Sequence, residues 1–130
     1  MPWHIEYYEQ DDGWQPAEEF EDDLKQRYPG LYGKLISVLL QLEQSGPTLG
    51  GGLAEKCRDY PGMWEVRTIF GSQLARELFG YDGGAIVLLH GYVKSSGQKA
   101  SLRDLDKAYR YWLDYQQHHR VSPEVESEDE

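Results

Sequence analysis

Three consecutive strand-like runs constrain the fold of this chain more than any other feature of its sequence. They cover residues 63–70, 73–80 and 85–93, and each is rich in aromatic, β-branched or other apolar residues. The last two runs are separated by Asp82-Gly83-Gly84, which is typical of a tight hairpin turn. Strands that follow one another through short turns usually pair as neighbours, so this region predicts an antiparallel sheet.

Two helices are predicted before these strands. Residues 16–28 begin with Pro16 and several acidic residues, which suit the first turn of a helix. Residues 31–42 carry leucine and valine at helical spacing, and Gly46-Pro47 ends this second helix. The Gly-rich segment that follows matches neither phosphate-binding glycine motif, so it is interpreted as a flexible connection.

A third helix is predicted from about Ser101 to His118. Ser101 and Asp104 form a variant of the capping box, and an apolar stripe gives this helix a face that packs on the sheet. Strands are also predicted at residues 3–8 and, more weakly, at 53–58. The order of elements predicts an α+β fold: a mostly antiparallel sheet with two N-terminal helices and a C-terminal helix. The first two helices would cover one face of the sheet and leave the other partly open.

The distribution of charge favours one part of the chain as a functional site. The net charge is −10, which argues against binding free nucleic acid by simple attraction. Residues 1–62 hold 5 basic and 12 acidic side chains (−7), residues 63–120 hold 8 and 6 (+2), and residues 121–130 hold five acids and no base (−5). We predict one domain at residues 1–120 and an acidic, disordered tail at 121–130. The acids of the first helix are expected to be solvated: Glu18, Glu19, Glu21, Asp22 and Asp23.

Composition also excludes several classes of protein. No window approaches the roughly 18 apolar residues of a membrane span, and no signal peptide is evident, so we expect a cytoplasmic protein without membrane contact. Cys57 is the only cysteine, which rules out an internal disulfide and a cysteine-based zinc site. It is interpreted as a partly buried residue without a catalytic role. We expect no metal and no cofactor.

Polar residues within the strands are the candidates for function. Strand propensity does not explain five of them: Arg67, Arg76, His90, Tyr92 and Lys94. RNA cleavage without a metal can use the ribose 2′-hydroxyl as nucleophile, and it requires a base, an acid and cations around the phosphate. Guanidinium groups pair with phosphate, histidine transfers protons near neutral pH, and tyrosine stacks on bases. Beyond the last strand, the candidates for RNA binding are Lys99 and Arg103.

Each of these residues also has an ordinary structural interpretation. Arg67 can form an ion pair with Glu65 or Glu77, and Arg76 can pair with Glu77. The histidine can be a hydrogen-bonded core residue, the tyrosine can serve packing alone, and the lysines can be solvated charges.

The order of these residues resembles a known family. Trp-Glu-Val-Arg at 64–67 is followed by Arg76 in the next strand and by Leu-Leu-His-Gly-Tyr-Val-Lys at 88–94. This order is similar to that of the phage-derived branch of the RelE/HigB-type toxins, and the resemblance extends from about Ile5 to about Tyr115. It implies a RelE-like α+β toxin of a type II toxin–antitoxin system, which cuts mRNA on the ribosome as a metal-independent endoribonuclease.

The same resemblance implies the site and the partners. The five strand candidates would be catalytic, and Lys99 and Arg103 would bind RNA. The partners would be mRNA on the ribosome and a cognate helix-turn-helix antitoxin. Members of the family are usually basic and often have a second lysine where this chain has Ser95. Two alternatives therefore remain: a non-catalytic inhibitor of a host protein, such as a topoisomerase or helicase, on the same fold, and an inactive phage remnant.

Overall fold

Helices cover both faces of a five-stranded sheet in the part of the chain that the structure describes. The computed structural model describes residues 3–95 and 97–128, with the side chains of the last helix described as far as His118. The strands are β1 (His4–Tyr7), β2 (Ala54–Lys56), β3 (Met63–Phe70), β4 (Gln73–Asp82) and β5 (Ala85–Ser95). The helices are α1 (Pro16–Arg27), α2 (Pro29–Ser45) and α3 (Leu102–Glu128), and Gly46–Thr48 forms a single 3-10 turn after α2.

The order and direction of the strands confirm the predicted α+β architecture. The strand order is β1-β5-β4-β3-β2, and the pairs from β2 through β5 are antiparallel, whereas β1 pairs with β5 in parallel. β4 and β5 form the predicted hairpin, in which Gly83 has a φ of +59°, a left-handed conformation that glycine adopts without strain. Because α1 and α2 lie between β1 and β2, the chain leaves the sheet at one edge and returns at the other.

Two apolar cores lie on opposite faces of the sheet. On one face, buried residues of α1 and α2 pack against the strands: Ala17, Leu24, Leu31, Leu35, Val38, Leu39 and Leu42 on the helices, and Val66, Ala75, Phe79, Ile86 and Leu88 on the strands. On the other face α3 contributes Leu105, Ala108, Trp112 and Tyr115, which pack against Met63, Leu78, Val87, Leu89 and Tyr92. The predicted apolar stripe of the last helix therefore packs on the sheet.

A bulge in β5 decides which way its polar residues face. Leu78 of β4 pairs with His90 but Phe79 pairs with Leu88, so Leu89 is an extra residue in the ladder. Before the bulge, the even-numbered residues of β5 face α1 and α2; after it, they face α3. If β5 alternated regularly through Leu89, without a bulge, His90 and the polar residues that follow it would point into the core beneath α1 and α2.

Two expectations about acidic segments differ from the structure. α3 continues to Glu128, well past the predicted end at His118, so the backbone of residues 121–128 is helical. A helix anchored by packing along its first part extends readily, because each further residue adds one hydrogen bond. Glu21 is 6% exposed rather than solvated, because its position on α1 turns it toward the sheet. The boundary of the domain at residue 120 remains a prediction.

Among the described helices, none is both long and apolar enough to span a membrane.

Candidate functional site

A row of polar side chains crosses the face of the sheet on which α3 packs. Arg67 of β3 lies directly opposite Arg76 of β4, and Arg76 lies directly opposite Tyr92 of β5. Cross-strand partners project from the same face, so these three side chains form a line perpendicular to the strands. Lys94 lies two residues further along β5 and shares this face. Four of the predicted residues therefore lie on one surface.

Glutamates hold both arginines of this row. Arg76 donates to Glu65 at 2.8 Å, and each of these side chains is only 12% exposed. Arg67 donates to Glu55 at 2.6 Å, in a pair that is much more exposed to solvent. The expected partner Glu77 was wrong for both arginines, because strand side chains alternate and Glu77 faces α1 and α2. The other expected partner of Arg67, Glu65, pairs with Arg76 instead. Each observed partner instead lies diagonally across the neighbouring strand.

These two ion pairs leave the arginines differently available to a ligand. Arg76 is committed to a partner inside the protein, and burial raises the pKa of the Glu65 carboxyl even though Arg76 and Arg67 oppose the shift. Arg67 can exchange Glu55 for another anion at small cost, since an exposed ion pair is worth about 0–1 kcal/mol. Two like charges directly opposite one another are unfavourable on a sheet, so the glutamates also relieve the repulsion between the arginines.

His90 is oriented by the first turn of α3. Its Nε2 lies 2.7 Å from Oδ1 of Asp104, and both side chains are largely buried. The other oxygen of Asp104 accepts a hydrogen bond from the Ser101 hydroxyl at 2.6 Å, and that hydroxyl accepts one from the backbone N–H of Asp104. The predicted cap of α3 is therefore confirmed, and it holds the carboxylate that orients His90.

The protonation states of this pair follow from its surroundings. Burial works against ionisation of Asp104, but the hydrogen bonds from Ser101 and His90 outweigh it and lower the pKa of this carboxyl. Burial lowers the pKa of His90, although Asp104 opposes the shift, so the ring is neutral at pH 7. An ionised Asp104 can only accept, so Nε2 carries the ring proton and Nδ1 is left as a basic nitrogen. His90 is thus a neutral base whose tautomer is set by a carboxylate.

Tyr92 and Lys94 lie beside this pair. Tyr92 is mostly buried, and its hydroxyl accepts a hydrogen bond from the backbone N–H of Ser101 at 3.3 Å, so it also supports the start of α3. The Lys94 ammonium donates to the backbone carbonyl of Gln98. Partial burial, together with the positive charges of Arg76 and Arg67, lowers the pKa of Lys94. The remaining two candidates, Lys99 and Arg103, are exposed in the segment before α3 and in its first turn.

A groove of about 870 Å³ runs along the free edge of β5, between α1 and the N-terminal half of α3. β1 pairs with β5 only as far as Leu88, so in the described chain no strand covers residues 90–95 on this side. Phe20 of α1 lies so close to Gly91 that a Cβ there would overlap its ring. The β5 side of the groove includes His90, Tyr92 and Lys94, whereas neither Arg67 nor Arg76 lines it.

Sequence reasoning missed the partner of His90 and the groove itself. Asp104 was predicted only as a capping residue, and no local pattern connects it with a histidine 14 positions earlier. The alternation of β5 gave no sign of the bulge that turns His90 toward α3.

Among the described residues, no group of three or more histidine, cysteine or acidic side chains is placed to hold a metal ion. Burial raises the pKa of the half-buried Cys57 to about 12, which makes this thiol a poor nucleophile.

These elements define a small α+β protein consistent with a RelE-like fold, in which a histidine–aspartate pair faces an open groove. Residues 22–112, more than half of the chain, match the family described as phage-derived protein Gp49-like. The chain belongs to this family of Gp49-like phage-derived proteins. No curated protein is similar enough to match the chain. The family match includes every predicted site residue and Asp104, but it begins after the loop between β1 and α1.

Proposed function

We propose that this protein is the toxin of a type II toxin–antitoxin system and that it cuts mRNA on the ribosome without a metal. The observation that carries the proposal is the His90–Asp104 pair, which presents a neutral, oriented imidazole in an open groove that Lys94 also lines. The resemblance to RelE/HigB-type toxins suggests the reaction class, and membership of a family of phage-derived proteins is compatible with it.

His90 is the proposed general base. Its Nδ1 accepts the proton of a ribose 2′-hydroxyl, and the oxygen then attacks the adjacent phosphorus. As the ring gains a proton, the ionised Asp104 stabilises the imidazolium that forms. Because burial lowers the pKa of His90 below its ordinary 6.5, cleavage is expected to remain active at pH 6.5 and to fall only in more acidic solution.

Lys94 and Arg67 are the proposed phosphate ligands. Lys94 lines the same groove as His90, and its lowered pKa makes it a better proton donor to the leaving 5′-oxygen than an ordinary lysine. Arg67 can exchange Glu55 for a phosphate oxygen as negative charge develops. Arg76 does not contact the RNA in this proposal. Its ion pair with Glu65 holds the row of charged side chains in place beside Tyr92. The exposed Lys99 and Arg103 bind flanking phosphates.

The partners of the proposed toxin follow from its charge. A chain of net charge −10 gains little affinity for free RNA by attraction, so the ribosome supplies most of the binding and the protein supplies the chemistry. A cognate helix-turn-helix antitoxin is proposed to silence the toxin by covering the Arg67 and Arg76 face or by fixing α3. The reaction takes place in the cytoplasm, where mRNA and ribosomes are available.

A second function is favoured by the ion pairs themselves. Glu55 and Glu65 already neutralise both arginines, and acidic residues dominate the exposed side of α1. A surface of this kind suits a non-catalytic inhibitor that binds a host protein such as a topoisomerase or a helicase. An inactive phage remnant would have the same fold and neither activity.

Controlled expression in a bacterium tests these functions. The proposed toxin arrests growth and cuts mRNA at defined positions, which primer extension detects, and cleavage requires ribosomes. Arg67→Ala should relieve the toxicity, since losing one phosphate contact in the transition state costs about 10²–10³ in rate. Arg58→Ala, which removes an exposed arginine between β2 and β3, is the matched control and should remain toxic. Growth arrest with intact mRNA would favour the inhibitor, and normal growth with a folded protein would favour the remnant.

Hydrogen exchange with and without the product of the neighbouring gene tests the antitoxin proposal. Protection is expected in β3, β4 and the first turns of α3, where the charged row and the His90–Asp104 pair lie. Protection confined to the acidic helix at residues 17–27 would contradict the proposed binding mode.

A further inference from the structure

Trp14 lies in the groove outside the family match and is not used by the proposed chemistry. It is 39% exposed and lines the same groove as His90 and Lys94. The loop before α1 fixes the backbone of Trp14: its backbone N–H donates to the Asp12 carboxylate at 2.9 Å, and its backbone carbonyl accepts from the N–H of Gln10 at 2.8 Å. An exposed indole on a backbone fixed in this way is partly preorganised to stack on a ligand, because less conformational entropy is lost on binding.

Aromatic contacts connect Trp14 with the proposed base. The Trp14 ring meets Tyr111 of α3 nearly at right angles, with centroids 6.5 Å apart, and Tyr111 meets the His90 ring in the same manner at 6.2 Å. Tyr8, the residue that follows β1, stacks on Tyr111 with ring centroids 5.0 Å apart. A ligand stacked on Trp14 would therefore lie one aromatic ring away from the nitrogen that we assign as general base.

The two walls of the groove differ in a way that fits a single-stranded nucleic acid. One wall is formed by Trp14, the apolar residues of α1, the acidic Glu19 and Asp23, and Arg27, whose charge is offset by an ion pair with Asp23 at 3.5 Å. The opposite wall carries the ammonium groups of Lys94 and Lys107. Bases stack on aromatic surfaces and phosphates contact cations, so a strand of RNA fits with its bases toward α1 and its backbone toward β5 and α3.

We propose that Trp14 is a base-stacking subsite for single-stranded RNA, where it positions the nucleotide next to the scissile bond. The proposal rests on the proposed ribonuclease function and extends it to a residue outside the family match. Trp14 touches the substrate but takes no part in proton transfer. Its role is to hold one base, so the bases favoured near the cleavage position depend on this residue.

Cleavage of mRNA on ribosomes, resolved by position, is the first test. Trp14→Leu should lower the cleavage rate about 10- to 100-fold, which is the range that one base–aromatic stack is worth, and should change the preferred positions. Trp14→Phe retains a stacking ring and should recover most of the rate. The matched control is Phe70→Leu, which removes an exposed aromatic side chain at the end of β3, outside the groove, and should leave the rate and positions unchanged. Melting temperatures of all variants exclude a simple loss of fold.

Fluorescence with an uncleavable ligand is the second test. A short, mixed-sequence 2′-O-methyl RNA cannot use its 2′-oxygen as a nucleophile. At low salt, and at concentrations high enough to offset the weak attraction between free RNA and a chain of net charge −10, it should quench the exposed Trp14. The same RNA should bind Trp14→Phe with similar affinity, measured by anisotropy of a labelled strand, but without that part of the quenching.

The outcomes separate this inference from the proposed function. If the wild-type protein cuts mRNA and Trp14→Leu cuts it equally at the same positions, the subsite is wrong and the ribonuclease stands. If the wild-type protein neither cuts mRNA nor is quenched by RNA, both are wrong. If Trp14→Leu cuts normally but escapes the antitoxin, the groove binds an extended protein segment along the free edge of β5, which overturns RNA stacking.

Discussion

On the face covered by α1 and α2, the buried Glu77 has another acid, Glu21, beside it, whereas on the α3 face the buried Glu65 has Arg76. Glu77 has no exposed surface, and burial together with the neighbouring Glu21 raises the pKa of its carboxyl, which favours the protonated form. Tyr7 donates to Glu21 at 2.6 Å. One face of the sheet therefore removes buried charge by protonation and the other neutralises it with cations.

This difference indicates where chemistry is possible. On the face covered by α1 and α2, Glu21 and Glu77 lie buried between α1 and the sheet, and neither lines the groove. The α3 face keeps charged groups near solvent, including the His90–Asp104 pair and the Arg67–Glu55 pair. Charged partners that are held but still reachable are what a reaction with developing charge requires.

The largest expected effect is on the α3 face, at His90. His90→Gln should lower mRNA cleavage by about 10²–10⁴, because the amide can still donate to Asp104 but cannot accept a proton from the ribose. Cleavage rate and melting temperature are to be measured on the same variant. A variant that loses about 1–3 kcal/mol of stability but keeps its specific activity would make His90 a core histidine and remove it from the site.

The second largest effect tests whether Arg76 and Arg67 contribute unequally to stability, as their different exposure to solvent implies. Arg76→Ala leaves Glu65 buried without a cation, and we expect the free energy of unfolding to fall by about 3 kcal/mol. Arg67→Ala is the matched control in the same row and should cost about 0–1 kcal/mol, since Glu55 is already solvated. Urea denaturation at pH 7 measures both, and equal losses would contradict the assignment of Arg76 as a structural residue.

Features of these two faces could be predicted from the sequence when they depend on residues close together along the chain, and could not when they depend on contacts between distant elements. The strands at residues 63–70 and 85–93, the turn at Gly83 and the cap at Ser101 were predicted, because each depends on neighbours along the chain. The pairing of Glu21 with Glu77 and of His90 with Asp104 was not, because these contacts join elements that are distant in sequence. The bulge at Leu89 also escaped prediction, since it depends on the register with β4 rather than on composition.

The acidic pair on the other face predicts a smaller effect that depends on pH. The pKa values of Glu21 and Glu77 are higher in the folded protein than in the unfolded chain. Their contribution to stability is therefore complete in acid and is lost as the pH rises above about 4.5, where the unfolded carboxyls ionise. Glu77→Gln removes this loss and should stabilise the protein by about 1–2 kcal/mol at pH 8, with a smaller gain at pH 5.

Denaturation of Glu77→Gln and the wild type between pH 5 and pH 8 measures this difference. Glu19→Gln, which replaces an exposed acid on the same helix, is the control and should show no such trend. If the difference in free energy of unfolding between Glu77→Gln and the wild type does not change with pH, Glu77 is not protonated in the folded protein. The two faces of the sheet would then not differ in how they accommodate buried acids.

The smallest effect concerns the cap that orients His90. Ser101→Ala removes both the cap of α3 and the hydroxyl that donates to Asp104, and should cost about 1 kcal/mol of stability. Without that donor the pKa of Asp104 rises, so its hold on His90 is lost at a less acidic pH. NMR titration of Asp104 measures the shift, and Ser101→Thr, which keeps the hydroxyl, should restore both properties. A stability loss without any shift in the Asp104 titration would separate the cap from the site and leave His90 oriented by Asp104 alone.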